Sequence, residues 1–300
     1  MTVSRSVAGM ALALGLFWTA VPHGSQATPP PAPQTPRAPL RDAFYNITAP
    51  QPVELVAPFQ IFDNLYYIGT NDAAAYLITT SDGLIMIDTL YDQFVDHLVP
   101  AIQELGFKPQ DIKYAVLSHS HFDHWGGASM LQTRYRTRIA MGAADWDVLD
   151  QTEATPTRTP PRRDIVIKDG DTLTLGDTTL KLYWTPGHAP GTTSIEFPVY
   201  DRGRRYKAFF HGGYRFGGDN IRTGIASLER TLATVSDVDV NLYCHQWSAA
   251  VLQRGEQLKR RKPGDPHPFV VPGEFETLMR FRLAEARTAL ENASRRPGPN

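Results

Sequence analysis

Apolar residues in the first part of the chain after about residue 60 fall in short runs separated by turn residues. Leu65-Tyr66-Tyr67-Ile68, Ala74 to Thr79 and Leu84-Ile85-Met86-Ile87 predict strands of a meander spanning Gln60 to Asp88, with Ser81-Asp82-Gly83 as a turn. The period then lengthens. From Asp92 to Leu105, Phe94, Val95, Leu98, Ile102 and Leu105 lie at helical spacing, and Gly106 closes the helix. Tyr114-Ala115-Val116-Leu117 reads as a buried strand, followed by a helix reaching about Gln132. Arg138 to Met141 predicts a strand and Ala143 to Leu149 a helix. A second sheet is expected from Thr172 to Leu175, Thr179 to Trp184, Thr192 to Phe197, Tyr206 to Phe210 and Val240 to Tyr243. Helices are expected over Ser227 to Val235 and Phe275 to Ala293, giving two β-then-α halves of an α/β fold.

The N-terminal residues follow a different pattern. Arg5 precedes an uncharged apolar run from Val7 to Val21, and Ser25-Gln26-Ala27 supplies the small residues of a cleavage site. Residues 1–27 therefore read as a signal peptide, and the proline-rich Thr28 to Arg41 as a disordered linker. Residues 42–300 are expected to form a single domain, secreted to the bacterial periplasm and monomeric. A formal net charge of −1 implies no general attraction to nucleic acid or anionic membrane. Cys244 is the only cysteine, which excludes an intramolecular disulfide and a cysteine-based zinc knuckle.

The chemistry concentrates in Ser118-His119-Ser120-His121-Phe122-Asp123-His124-Trp125-Gly126-Gly127. Side chains at i and i+2 of extended backbone point the same way, so His119 and His121 converge on one ion. Asp123 and His124 come where the chain turns and reach a second ion. Imidazole and carboxylate are donors that zinc prefers. Pro and Gly flank His188 on both sides in Thr185-Pro186-Gly187-His188-Ala189-Pro190-Gly191-Thr192, which sets it on a rigid turn at a sheet edge. His245 follows the apolar strand Val240 to Cys244. Alternation along that strand turns the Cys244 thiol away from the metal side, as a small packed hydrophobe. Gln151 to Arg163, polar and rich in proline, is a loop expected over the site.

The His-x-His-x-Asp-His stretch resembles the signature of the metallo-β-lactamase superfamily, and Pro186-Gly187-His188 resembles its Pro-Gly-His motif. The likeness covers most of the chain after about residue 55. It implies a four-layer αβ/βα sandwich with a metal site at one edge, usually two Zn2+. In that likeness His188 joins His119 and His121, while His245 joins Asp123 and His124. Asp88 would accept a ligand imidazole's N–H. Lactonase-like and glyoxalase-II-like members carry a metal-bridging aspartate where this chain has His211, which is expected to support or pack. Subclass B3 metallo-β-lactamases also lack it and use an Asp-His-His set. Lys262 to Phe269 resembles that subclass's Asn-Pro-Phe stretch. Serines that usually follow the missing aspartate are here Gly212, Gly213 and Tyr214, so a substrate carboxylate would fall to Arg215, Arg222 or Arg162. Tyr214 matches the place of a carbonyl-polarising tyrosine in lactonases.

The resemblance implies a zinc-dependent hydrolase acting on a small molecule, opening a β-lactam or similar cyclic amide by attack of a zinc-bound hydroxide. Asp123 would orient the nucleophile, and Tyr214 and Arg215 would contact substrate. Two alternatives stay open: a lactone or carboxyl-ester hydrolase of the same fold, and a non-catalytic zinc-binding member of the family.

Overall fold

A computed structural model describes residues 52–214, 216 and 220–295, all within the unit Pro33–Asn300. The expected signal peptide and linker, and Arg215, lie outside the described residues.

Four antiparallel strands come first: β1 (Phe59–Phe62), β2 (Leu65–Tyr67), β3 (Tyr76–Thr80) and β4 (Gly83–Ile87). Helix α1 (Val95–Glu104) crosses to β5 (Ile112–Val116), which pairs parallel with β4. The helix expected after the histidine motif forms in two pieces, α2 (Phe122–Trp125) and α3 (Ala128–Tyr135). The break falls at Gly126-Gly127, where the Gly126 N–H donates to Leu90 O (2.7 Å) and the Gly127 N–H to Thr89 O (3.0 Å), tying the motif to the segment after β4. Strand β6 (Arg138–Gly142), helix α4 (Ala143–Asp150) and strand β7 (Ile165–Ile167) complete a seven-stranded sheet in the order β1 to β7.

The second sheet has five strands: β8 (Thr172–Leu175), β9 (Thr178–Trp184), β10 (Thr193–Asp201), β11 (Arg204–His211) and, after helix α5 (Asn220–Thr234), β12 (Val240–Tyr243). Strand β12 runs parallel to β11; the other neighbours are antiparallel. Helices α6 (Val251–Lys259) and α7 (Glu274–Arg295) end the chain.

Alternation explains the layers. On β3 and β4, Tyr76, Ile78, Ile85 and Ile87 face the second sheet and join Leu182, Ile195, Phe197, Phe209 and Leu242. Their neighbours Leu77, Leu84 and Met86 face the other way, onto Leu98 and Ile102 of α1, Leu131 of α3 and Trp146 of α4. Helices α5 and α7 pack on one another beside the second sheet, where Leu228, Phe275 and Leu278 join the core. The arrangement is the four-layer αβ/βα sandwich.

Three elements went unread in the sequence pattern. Strand β1 has only two buried residues at its end, and β7 has three residues in all. Helix α6 contains Gly255, which reads as a breaker; a Cβ there would come within 2.8 Å of the Phe59 ring. Among the described residues no helix is long and apolar enough to cross a membrane.

Arg254 of α6 forms a two-pronged ion pair with Glu274 of α7, and the two residues are only 2% and 4% exposed. It fastens α6, and the turn carrying Trp247 just before it, to the terminal helix. Removing one partner leaves the other buried and uncompensated, so Arg254→Met should destabilise the fold by about 3–5 kcal/mol in urea titration. Arg254→Met with Glu274→Leu should recover most of that loss.

Candidate metal centre

The carboxyl ends of β4, β5 and β12 and the turn between β9 and β10 meet at one edge of the sandwich. Parallel pairing sets Ile87 of β4 opposite Val116 of β5 and His211 of β11 opposite Tyr243 of β12. Asp88 and Ser118 therefore leave adjacent strands together, and His245 leaves β12 nearby.

Asp88 is fully buried, with φ of 57° in the turn after β4. Its Oδ1 accepts the Ser118 N–H (2.7 Å), and its Oδ2 accepts the Ser118 hydroxyl (2.8 Å) and His124 Nδ1 (2.9 Å). A carboxylate only accepts, so His124 carries a hydrogen on Nδ1. The Ser118 hydroxyl spends its one hydrogen on Asp88. The same oxygen lies 3.0 Å from His119 Nδ1 and can only accept from it. One carboxylate thus turns the Nε2 atoms of both His119 and His124 into the site.

Two clusters of donors result. His119, His121 and His188 bring ligand-capable atoms to within 4.8 Å of one another, and so do Asp123, His124 and His245. In the first, His119 Nε2 and His121 Nδ1 are 3.1 Å apart. Burial and the neighbouring histidines hold His119 well below the usual imidazole range, and burial lowers His121 as well. In the second, Asp123 Oδ2 lies 3.1 Å from His124 Nε2 and 3.5 Å from His245 Nε2. Yet His124 Nε2 is buried and makes no aligned hydrogen bond. Burial disfavours a charged His124, but Asp123 and Asp88 outweigh it and push the ring up to about 10. Burial also opposes ionisation of Asp123, and the His124 and His245 charges overcome it to hold the carboxyl far below the ordinary range.

Supports not foreseen from the sequence surround these groups. Asp72, in the β2–β3 loop, accepts from His245 Nδ1 (3.0 Å) and Trp247 Nε1 (2.7 Å) on Oδ1 and from the Tyr91 hydroxyl (2.6 Å) on Oδ2. Burial would raise its carboxyl, but those donors lower it. Only the turn-like Asn71-Asp72 hinted at its place. Asp145 accepts from Gly191 N–H (3.0 Å) and the Ser120 hydroxyl (2.9 Å), joining the His188 turn to the His-x-His strand end. Burial pushes its carboxyl up to about 6. Gly213, at φ 152°, passes under His188, and a Cβ there would sit 2.4 Å from the imidazole Cδ2.

A cavity of about 150 Å³ opens on the centre, lined by Asp72, His121, His188, Gly213, Tyr243, Cys244, His245 and Trp247. The Cys244 thiol was expected to turn away; instead it faces the site. Cys244 lies in a bend after the last residue of β12, so strand alternation no longer governs it. Tyr214 does not line the cavity: it is 5% exposed, with its hydroxyl against His211 Nδ1. His211 also contacts Asn241 Oδ1 through Nε2 and stacks near Phe275, away from both clusters. Burial pushes it down to about 3. The loop 151–163 does not line the cavity either. It lies against α1 and α3, and Arg158 reaches Asp92 (3.2 Å) and the ring of Phe122 (4.6 Å), whose 46% exposure marks the rim beside His121.

The metallo-beta-lactamase superfamily profile matches residues 68–202. The chain is similar to the solved structure of BJP-1, a subclass B3 metallo-beta-lactamase of Bradyrhizobium japonicum: 31% identity, 79% of this chain and 97% of that one, TM-score 0.67. Native FEZ-1 metallo-beta-lactamase from Legionella gormanii superposes over 81% of this chain and 99% of its own, at 27% identity and TM-score 0.72. A curated N-acyl homoserine lactonase of Bacillus cereus is 26% identical over 144 residues, 40% of this chain. The chain spans little more than half of that relative, 56% of its length. This chain belongs to the metallo-beta-lactamase superfamily, whose members bind metal ions, typically zinc.

The residues present fit such ions. Burial keeps the His119 and His121 imidazoles uncharged, the Asp123 carboxyl is ionised, and His124 Nε2 is buried with no aligned hydrogen bond. Groups that orient a ligand imidazole typically govern metal affinity by about 10–100-fold. Asp72→Ala should therefore weaken metal binding by about that factor while the protein stays folded, as measured by competition against a chromogenic chelator.

Proposed function

We propose that this chain is a zinc-dependent hydrolase that opens a β-lactam or a similar cyclic amide. His119, His121 and His188 would hold one ion, and Asp123, His124 and His245 the other. The observation that carries the reading is the pair of adjacent donor clusters sharing one edge, with the buried His124 ring set between the Asp88 and Asp123 carboxylates. Zinc bound there supplies a nucleophile from water at neutral pH and polarises a carbonyl.

The chain's own residues do the rest. Asp123 stays ionised, so toward an incoming water it accepts a hydrogen bond and orients the oxygen lone pair toward the carbonyl carbon. Asp88, through Ser118 and His124, keeps two imidazoles in one tautomer throughout. Asp72, held by Tyr91 and Trp247, fixes His245 in the same way. Tyr243, Trp247 and the Gly213 backbone wall the cavity and limit water around the scissile bond.

Three observations favour a β-lactam over a lactone. The end of β11 offers no carboxylate to bridge the clusters, since His211 stands there with both ring nitrogens engaged. Tyr214 is buried against His211, so it does not reach a lactone carbonyl in the cavity. The likeness to the two β-lactamases also runs over nearly their full lengths. Export to the periplasm belongs to the same reading and rests on Arg5, the Val7–Val21 run and Ser25-Gln26-Ala27.

The zinc-loaded protein should hydrolyse a chromogenic cephalosporin, lose that activity to a chelator and regain it with zinc. Opening of an acyl-homoserine lactone but of no β-lactam would move the substrate class to lactones. Two bound zinc ions with no turnover of either would make the chain a non-catalytic metal binder. In the same preparations, His245→Ala should fall from two zinc ions to about one, and His211→Ala should keep both.

A further inference from the structure

Cys244 sits where the two donor clusters meet. Its backbone is pinned from both sheets: its N–H donates to His211 O (3.1 Å), and its carbonyl accepts the Ala74 N–H (2.8 Å). Cys244 is among the residues that line the cavity. The sulfur, one nitrogen of His119 and one of His124 all lie within 4.8 Å of one another. His119 belongs to the first cluster and His124 to the second, so the sulfur faces the gap between them.

A buried cysteine in an apolar setting is ordinarily a small hydrophobe. Here two of its neighbours are imidazoles of the donor clusters, and the Nε2 of one of them, His124, is fully buried and makes no aligned hydrogen bond. That nitrogen and the Asp123 oxygen 3.1 Å from it, beside a sulfur, are donors among which a cation fits. Sulfur is also a donor that zinc takes readily, at about 2.3 Å.

We propose that Cys244 is a sulfur ligand of this metal centre, placed between the two histidine clusters. The inference rests on the metal-centre reading above and adds a donor to it. On binding, the S–H proton leaves to solvent and the sulfur electron pair goes to the ion. A centre with one sulfur donor also shifts its preference toward softer metals such as cadmium and copper(I).

Zinc-edge X-ray absorption on the zinc-loaded full chain tests this directly. A sulfur shell at about 2.3 Å is expected in the wild type, absent in Cys244→Ala, beside the nitrogen and oxygen shell at about 2.0–2.2 Å. A near-ultraviolet sulfur-to-cobalt charge-transfer band in the cobalt-loaded wild type is the second readout, and it decides the matter even if Cys244→Ala does not fold. Bound zinc with nitrogen and oxygen shells alone, and cobalt without that band, would overturn the inference while leaving the metal centre standing. A wild-type chain that retains no zinc would overturn both.

Discussion

A single buried carboxylate governs the rest of the site. Asp88 has no exposure to solvent, and an ion there is tolerable only because its oxygens accept three hydrogen bonds. Those bonds come from the two parts of the motif that must be oriented, Ser118 just beyond β5 and His124 within α2. Because Ser118 relays the constraint to His119, one charge sets the tautomers of a histidine in each cluster. Losing Asp88 would therefore misalign both clusters at once, whereas losing Asp72 reaches only one of them, through His245.

That carboxylate acts only because the strands deliver it. Ligand sites of parallel sheets gather beyond the carboxyl ends of the strands, and here β4, β5 and β12 all end at the same edge. The last two ligand-capable histidines come from far along the chain, His188 from a turn between antiparallel strands and His245 from the end of β12. The core between the sheets holds them in place. Tyr76 of the first sheet packs edge-on to Phe210 of the second at 5.9 Å, and its hydroxyl donates to Tyr243 O (3.3 Å), one residue before Cys244.

Much of this was legible in the sequence because it is local. His-x-His after an apolar run, the Pro-Gly frame around His188 and the aspartate ending β4 are short patterns whose geometry follows from strand periodicity and turn chemistry. The long, strongly periodic helices and strands were readable for the same reason. What escaped depends on distant partners. Asp72 and Asp145 are ordinary turn and helix aspartates until His245 and the His188 turn are folded against them. Cys244 was assigned to the wrong side by carrying strand alternation one residue past the end of β12. Tyr214 was placed by its offset from a strand end, and that offset does not reveal that His211 turns inward and takes the hydroxyl with it.

On the function proposed above, the edge of this sandwich holds two neighbouring ions, one in each donor cluster. Anomalous diffraction at the zinc edge from crystals of the zinc-loaded chain tests it most directly. Two peaks about 3.5–4 Å apart are expected, one among His119, His121 and His188 and the other among Asp123, His124 and His245. A single peak, or a second ion lying outside the Asp123, His124 and His245 cluster, would contradict it.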